Sequence, residues 1–99
     1  MLARVMTFSA SGDVLDSLVD TLRREVGEAY RGIPGFRGLL AMHNPDRRDV
    51  VALTLWEDQA GIDASADLAT SVLHQITSYT GLRAATEIFE VIGNIGLIE

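Results

Sequence analysis

The hydrophobic pattern is strongest in the stretch from Asp49 to Asp58, which is β-branched and apolar and ends in Trp56 followed by two acids. Successive side chains of a strand point to opposite faces. One face of this stretch would carry Val51, Leu53 and Leu55, and the other Val50, Ala52, Thr54 and Trp56. Neither face is polar, which predicts a central strand covered on both sides. A small domain covers one face with its own helices, so the second face favours a partner chain.

Helical spacing of apolar residues predicts a first helix from about Asp13 to Tyr30. Gly32 and Pro34 are expected to end it, because glycine accepts a left-handed cap and proline cannot continue the hydrogen-bond ladder. The residues from Glu57 to Ala64 predict a short helical segment. Apolar residues recurring from Leu68 to Tyr79 then predict a second long helix.

Alternating patterns predict three further strands, from Leu2 to Ser9, from Gly35 to His43 and from Arg83 to Ile92. The second of these would form an antiparallel hairpin with the central strand. The order strand, helix, strand, strand, helix, strand is the split βαβ arrangement of the ferredoxin-like fold. The predicted class is therefore α+β, with an antiparallel four-stranded sheet. Two such sheets closing on each other would form a dimeric α+β barrel.

Composition predicts a single domain over residues 1–99 and limits the classes of binding partner. The net charge is −6 and the eight basic residues are all arginine, so no basic stripe is available for nucleic acid. No apolar run approaches the roughly 20 residues of a membrane span, and the N-terminal pattern does not resemble a signal peptide. We therefore expect no membrane partner and a cytoplasmic location. The chain contains neither cysteine nor lysine, which excludes thiolate and Schiff-base chemistry on its side chains.

Two segments resemble a known family. The segments Ile33-Pro34-Gly35-Phe36-Arg37-Gly38 and Leu53-Thr54-Leu55-Trp56-Glu57-Asp58-Gln59-Ala60 are similar to the "PGF" and "W-E-[SD]-x-x-[AG]" signatures of the antibiotic biosynthesis monooxygenase (ABM) superfamily. This resemblance implies a dimeric α+β barrel with one small-molecule cleft per subunit, between helices and sheet. Some members oxygenate polycyclic aromatic substrates without metal or flavin, some degrade haem, and many have no assigned reaction.

The resemblance implies a cofactor-independent monooxygenase acting on a small aromatic or polyketide-like substrate, as a homodimer. The alternative is a non-catalytic small-molecule-binding or dimerisation module of the same fold. The residues leave open whether the chain is an enzyme, because they show no Ser-His-Asp order, phosphate loop or clustered metal ligands. With two histidines at unrelated positions, we predict no bound metal and no cofactor.

Trp56 is the leading candidate site residue, since in the family pattern this tryptophan lines the cleft. A large aromatic residue at the end of a core strand is equally consistent with packing. The polar groups available to assist it are Thr7, Thr54, His74 and Tyr79, with His74 as the second catalytic candidate. Arg37 could anchor an anionic substrate group or form a surface salt bridge.

Two further features bear on the site. The haem-degrading branch uses an asparagine on the first strand and a histidine soon after the tryptophan, whereas this chain has Thr7 and the much later His74, so haem degradation is not expected. Glu87 and Glu90 fall on opposite faces of the last strand. The one facing the covered side would need a partner, for which Arg4 or Arg37 is available.

Overall fold

A computed structural model describes residues 1–9, 12–80 and 84–93. The strands are β1 (Leu2–Ser9), β2 (Phe36–Asn44), β3 (Asp49–Trp56) and β4 (Ala85–Glu90). The helices are α1 (Gly12–Thr21), α2 (Gly27–Arg31), α3 (Gln59–Ala64) and α4 (Ala66–Thr80), with a π-helical turn, Leu22–Val26, joining α1 to α2. The sheet order is β2-β3-β1-β4 and every neighbouring pair is antiparallel. The predicted α+β, ferredoxin-like fold class is confirmed.

Strand β3 lies inside the sheet, between β1 and β2, as its apolar pattern predicts. Its burial alternates strictly along the strand. Val50, Ala52, Thr54 and Trp56 are buried on the face that carries the helices, whereas Val51, Leu53 and Leu55 are only half-buried. Hydrophobic side chains of β1, α1, the π-helical turn and α4 complete the core on the helix-bearing face.

Within residues 1–9, 12–80 and 84–93 no element covers the opposite face of the sheet, which is largely apolar and also carries Thr7 and Glu87. Val5, Leu53 and Leu40 lie side by side across β1, β3 and β2. Leu40 is 46% exposed, Met42 48% and Phe89 48%. We call this surface the outer face; Val5, Leu40, Met42, Val51, Leu53, Leu55 and Phe89 define it.

The first helical segment runs without interruption from Gly12 to Arg31, close to the predicted bounds. Its buried residues recur at every fourth position: Leu18, Leu22, Val26 and Tyr30. An α-helix has about 3.6 residues per turn, so a repeat of four would drift around its surface. The wider π-helical turn Leu22–Val26 offsets this drift and keeps the four side chains on the sheet.

The end of this segment differs from the prediction. Gly32 has φ −78° and ψ −7°, a right-handed conformation, so the predicted left-handed cap at Gly32 is wrong. The Ile33 N–H donates to the Tyr30 carbonyl at 3.0 Å, which continues the tight winding past Gly32. The left-handed residue is Gly35, with φ +87°, where the chain turns into β2. Here the Gly35 carbonyl accepts a hydrogen bond from the Glu57 N–H at 2.8 Å.

The last strand also differs from the prediction. Strand β4 is shorter than predicted, and Arg83 lies outside the described residues. Among the helices of the described ranges, none has both the length and the apolar character needed to cross a membrane.

The glycine conformations give a matched test. Gly35→Ala should lower the free energy of unfolding by about 1 to 2 kcal/mol, because its left-handed backbone disfavours any Cβ. Gly32→Ala should change it by less than about 0.5 kcal/mol, since the backbone is right-handed and the nearest atom to a new Cβ is 3.7 Å away. Urea unfolding followed by circular dichroism measures both. Equal losses in the two variants would contradict this assignment.

Candidate active site

Trp56, at the end of β3, is fully enclosed, with 0% of its surface exposed. Its ring meets Tyr30 edge-on at 5.5 Å and Phe36 at 5.4 Å between centroids, and Tyr30 stacks on Phe36 at 5.8 Å. Strand β3, helix α2 and strand β2 therefore each contribute one ring to a single cluster. Such arrangements add about 0.5 to 1.5 kcal/mol per pair beyond the apolar burial.

The polar atom of the indole is already used inside the protein. Trp56 Nε1 donates to Thr54 Oγ1 at 2.8 Å, between two residues on the same face of β3. An indole has one N–H and no acceptor, so this bond satisfies it completely. The Thr54 hydroxyl oxygen is the acceptor of this bond.

Arg4 is a charged residue in the core. It lies on the same face of β1 as Met6 and Phe8 and is 6% exposed. Its Nη1 donates to Ser65 Oγ at 2.8 Å and its Nη2 to the Ile62 carbonyl at 2.9 Å, which ties β1 to the junction of α3 and α4. Ser65 Oγ in turn donates to the same Ile62 carbonyl at 3.0 Å.

Within the described part of the chain, no carboxylate forms an ion pair with Arg4. The predicted pairing of Glu87 or Glu90 with Arg4 or Arg37 is not found there. Every residue of β4 is exposed, so neither glutamate needs a buried partner. Arg37 instead pairs with Glu57 at 3.2 Å on the surface.

Tyr30 stands beside Arg4 at the end of the first helical segment. Burial raises the pKa of its phenol above the ordinary value, while the charge of Arg4 and a hydrogen bond from it act in the opposite direction. The phenol is therefore protonated at neutral pH and keeps a hydrogen to donate.

Arg4, Tyr30 and Thr54 meet at an interior cavity of about 20 Å³ between helices and sheet. This volume is enough for a water-sized molecule. The remaining lining side chains are apolar: Met6, Leu22, Val26, Leu39, Ala52 and Val72. We call it the interior cavity.

An open cleft of about 410 Å³ lies between the first helical segment and β2. Its walls are formed by Val19, Leu22, Arg23, Gly27, Arg31, Phe36, Gly38, Leu39 and Ala41. Leu22 and Leu39 belong to both linings, so these two side chains form the shared boundary of the surface cleft and the interior cavity. The volume of the cleft is in the range that binds small organic molecules, about 300 to 1,000 Å³.

The structure brings only part of the predicted site together. Thr54 lines the interior cavity, and Trp56 lies directly behind it. Thr7 is exposed and lies on the outer face of the sheet, because Met6 and Phe8 on either side are buried beneath the helices.

The other predicted residues lie elsewhere. His74 is exposed on α4, in a surface groove that also includes Thr21 and Glu25. Arg37 is held on the surface by Glu57. The side chain of Tyr79 lies outside the described part of the structure.

Arg4 and Tyr30 are the residues that sequence reasoning did not select. The signal for Arg4 was its position, since it shares the alternation of Met6 and Phe8 and therefore points into the core. Tyr30 sits on the buried four-residue repeat of the first helical segment.

Solved structures of known proteins resemble this chain. No family model and no curated protein matches the chain. Among solved structures, the monooxygenase from the gene ActVA-Orf6 of Streptomyces coelicolor, in complex with nanaomycin D, is 25% identical, with a TM-score of 0.74 over 95% of this chain and 89% of that one. The chain has the fold of the antibiotic biosynthesis monooxygenases. The family resemblance predicted from the sequence is confirmed.

Two more distant structures share the ABM fold. SnoaB, a cofactor-independent oxygenase from Streptomyces nogalater, is 13% identical, with a TM-score of 0.77 and 96% of each chain covered. MhuD with two manganese protoporphyrin IX molecules per active site is 18% identical, with a TM-score of 0.75, covering 97% of this chain and 99% of that one.

The histidines of the chain lie away from the interior cavity and the cleft. Haem iron is commonly held by a histidine. Neither His43 nor His74 is among the residues that line the interior cavity or the cleft. Over residues 1–9, 12–80 and 84–93, no three His, Cys, Asp or Glu side chains are grouped to hold a metal ion.

The Trp56–Thr54 hydrogen bond predicts a coupled effect on stability. Thr54→Val should lower the free energy of unfolding by about 1 to 3 kcal/mol, because the enclosed indole N–H loses its acceptor. In a Trp56→Phe background the same change should lower the free energy of unfolding by a clearly smaller amount, since no indole N–H remains to be satisfied. Urea unfolding of the four proteins, followed by circular dichroism, measures the coupling.

Thr70→Val is the control, because Thr70 is exposed on α4 and its hydroxyl donates only to a helix carbonyl. It should change stability by less than about 0.5 kcal/mol. An equal cost of Thr54→Val in both backgrounds would show that the hydrogen bond contributes nothing.

Proposed function

We propose that this protein is a cofactor-independent monooxygenase that acts on a small aromatic or polyketide-like substrate. The observation that carries the proposal is the surface cleft beside the interior cavity, between helices and sheet, in a fold shared with a monooxygenase at 25% identity. The cleft has the size that a fused aromatic ring system requires, and its walls combine apolar side chains such as Leu22, Phe36 and Leu39 with Arg23 and Arg31.

Individual residues support binding of the substrate in the surface cleft. Phe36, at the start of β2, belongs both to the cleft wall and to the Trp56 cluster, so a bound ring would rest on a rigid aromatic base. Leu22 and Leu39 would have to separate for the ligand to reach Arg4, Tyr30 and Thr54. Leu22 begins the π-helical turn, and such turns are frequent at functional sites.

The chemistry needs an electron-rich substrate that reacts with dioxygen after it loses a proton. One oxygen atom enters the substrate, and the other is reduced to water by two protons and two electrons that also come from the substrate. The chain would bind and orient the ring. The apolar lining by Met6, Ala52 and Val72 would exclude bulk water from the reacting carbon.

A second candidate is a small-molecule-binding module without catalytic activity. One observation favours it: the residues that line the interior cavity include no histidine and no carboxylate, the usual side-chain bases. A cytoplasmic location and a single domain over residues 1–99 remain predictions.

We also propose that the protein is a homodimer whose sheets pack through the outer face. Leu53 lies at the centre of this face, between Val5 and Leu40, and the residues of β3 on either side of it on the same face, Val51 and Leu55, are also apolar. An exposed apolar surface of this kind favours association with a second copy.

A charged substitution at the centre of the outer face tests the proposed dimer. Wild-type protein should sediment as a dimer, and Leu53→Glu should sediment as a monomer, because a carboxylate at the centre of an apolar interface would lose its hydration without a partner. Ser71→Glu, on the exposed side of α4, should leave the dimer intact. A wild-type monomer that persists at high concentration would contradict the proposal.

The oxygenase proposal is tested by filling the cleft. Wild-type protein should bind members of a panel of polyphenols and quinone precursors, and it should consume dioxygen with at least one of them. Ala41→Phe should weaken binding about ten-fold or more, since Ala41 lines the cleft and is itself exposed. Ala60→Phe, exposed on α3, is the matched control.

Calorimetry measures binding and an oxygen electrode measures turnover, each with and without a chelator. Turnover that survives chelation and falls in Ala41→Phe supports the monooxygenase. Binding without oxygen uptake across the panel would favour the binding module, and loss of turnover on chelation would contradict a cofactor-independent reaction.

A further inference from the structure

The helical wall of the surface cleft has a gap in its row of side chains. Val19, Arg23, Gly27 and Arg31 line the cleft at every fourth position, each directly after a buried residue of the first helical segment. The π-helical turn keeps this row on the cleft, as it keeps the buried row on the sheet. Three of the four residues carry bulky side chains and Gly27 has none. We call the gap between Arg23 and Arg31 the Gly27 notch.

The backbone conformation does not explain why residue 27 is glycine. Gly27 has φ −59° and ψ −44°, which is ordinary right-handed helix, and it lies inside a continuous helical segment. In a helix interior, glycine is less favourable than alanine because it loses more conformational freedom on folding. Gly38, on the opposite wall of the cleft, differs: its φ is +153° and it follows a register shift in β2, where glycine is favoured. Of these two cleft glycines, only Gly38 has a conformational reason.

Packing does not explain the glycine either. A Cβ added at Gly27 would lie 3.4 Å from the Leu22 carbonyl oxygen, an ordinary contact, with no other described atom within 4 Å. The Gly27 N–H donates to this same carbonyl, and an alanine would keep that bond. Gly61 shows the contrast, since a Cβ there would lie 2.8 Å from Trp56. The one consequence of glycine at position 27 is therefore the open notch in the cleft wall.

The notch lies within reach of a ligand that rests on Phe36. Tyr30 stacks on Phe36 at 5.8 Å, which places Phe36 at the Arg31 end of the cleft. Residues eight positions apart in a helix are separated by about 12 Å along its axis, so Arg23 and Arg31 stand well apart on the two sides of the notch. Arginine stems and planar guanidinium groups pack favourably against aromatic rings. The sides of the notch therefore suit the outer rings of a flat ligand.

We propose that Gly27 determines the specificity of the cleft for fused systems of three aromatic rings over single rings. One ring of the ligand rests on Phe36, and the outer rings extend into the Gly27 notch. A single ring on Phe36 does not reach the notch and is indifferent to it. The binding of an aromatic ligand in the cleft rests on the proposed function, whereas the selection by ring number rests on the Gly27 notch.

The probes are hydroquinone, 1,4-dihydroxynaphthalene and 1,8-dihydroxyanthrone, which have one, two and three fused rings. Calorimetry under argon measures binding without oxidation. Wild-type protein should bind the three-ring probe at least about ten-fold more tightly than hydroquinone. Gly27→Leu should weaken binding of the three-ring probe about ten-fold or more and change that of hydroquinone by less than about two-fold, because the leucine fills the notch alone. Gly27→Ala should act in the same direction with a smaller effect.

The stability of the variants separates a specificity role from a structural one. Both Gly27→Ala and Gly27→Leu should raise the urea concentration at the midpoint of unfolding, since alanine and leucine favour the helix more than glycine does. Binding of the large probe should therefore fall while stability rises. Gly32→Ala is the matched control, because Gly32 is also right-handed and is not among the residues that line the cleft. It should leave all three dissociation constants unchanged.

Three results would overturn the proposal: no preference of wild-type protein for three rings, equal weakening of all three probes in Gly27→Leu, or a loss of stability in Gly27→Ala. Oxygen uptake separates this inference from the proposed function. Selection by ring number without oxygen uptake would retain Gly27 as the specificity residue of a binding module. Oxygen uptake with an unchanged ring preference in Gly27→Leu would retain the monooxygenase and reject the role of Gly27.

Discussion

The burial of the Arg4 guanidinium is the constraint on which the rest of this structure depends. A charge removed from water must be compensated locally, and here the compensation comes from Ser65 Oγ and the Ile62 carbonyl at the α3–α4 junction. These bonds join residues 61 and 58 positions apart in the chain. They fix where α4 begins over the sheet. They also hold the cation beside Tyr30, where both side chains line the interior cavity.

The two family signature segments are joined directly to each other. The Glu57 N–H donates to the Gly35 carbonyl at 2.8 Å, and the Glu57 carboxylate pairs with Arg37 at 3.2 Å. A Cβ added at Gly61 would lie 2.8 Å from Trp56 Cε3, so glycine allows α3 to approach the indole closely. These residues therefore have structural reasons for their identity. Trp56 supports the site through packing and Thr54.

The two faces of the sheet differ in what they carry. The helix-bearing face encloses a small cavity lined by Arg4, Tyr30 and Thr54, and the Tyr30 ring also belongs to the aromatic cluster with Phe36 and Trp56. The outer face carries aliphatic side chains such as Val5, Leu40 and Leu53, and no helix of the described residues lies over it. Association through the outer face would make β3 rigid from both sides. Rigid support of this strand keeps Thr54 and Trp56 in place behind any ligand.

The sequence by itself determined the order of the elements, the ferredoxin-like class and the apolar nature of both sheet faces, because the periods of apolar residues are local properties of the chain. It also pointed to Trp56 through the family resemblance, and it offered Thr54 as one of four available polar groups, with Thr7, His74 and Tyr79. The positions of Thr7, Arg37 and His74 relative to the cavity were decided only by the tertiary structure. The positions of Arg4 and Tyr30 at the cavity were also decided only by the tertiary structure, since a buried arginine depends on acceptors far away in sequence, such as Ser65. Long-range hydrogen bonds and the conformation of single residues, such as Gly32 and Gly35, leave no periodic trace in the sequence.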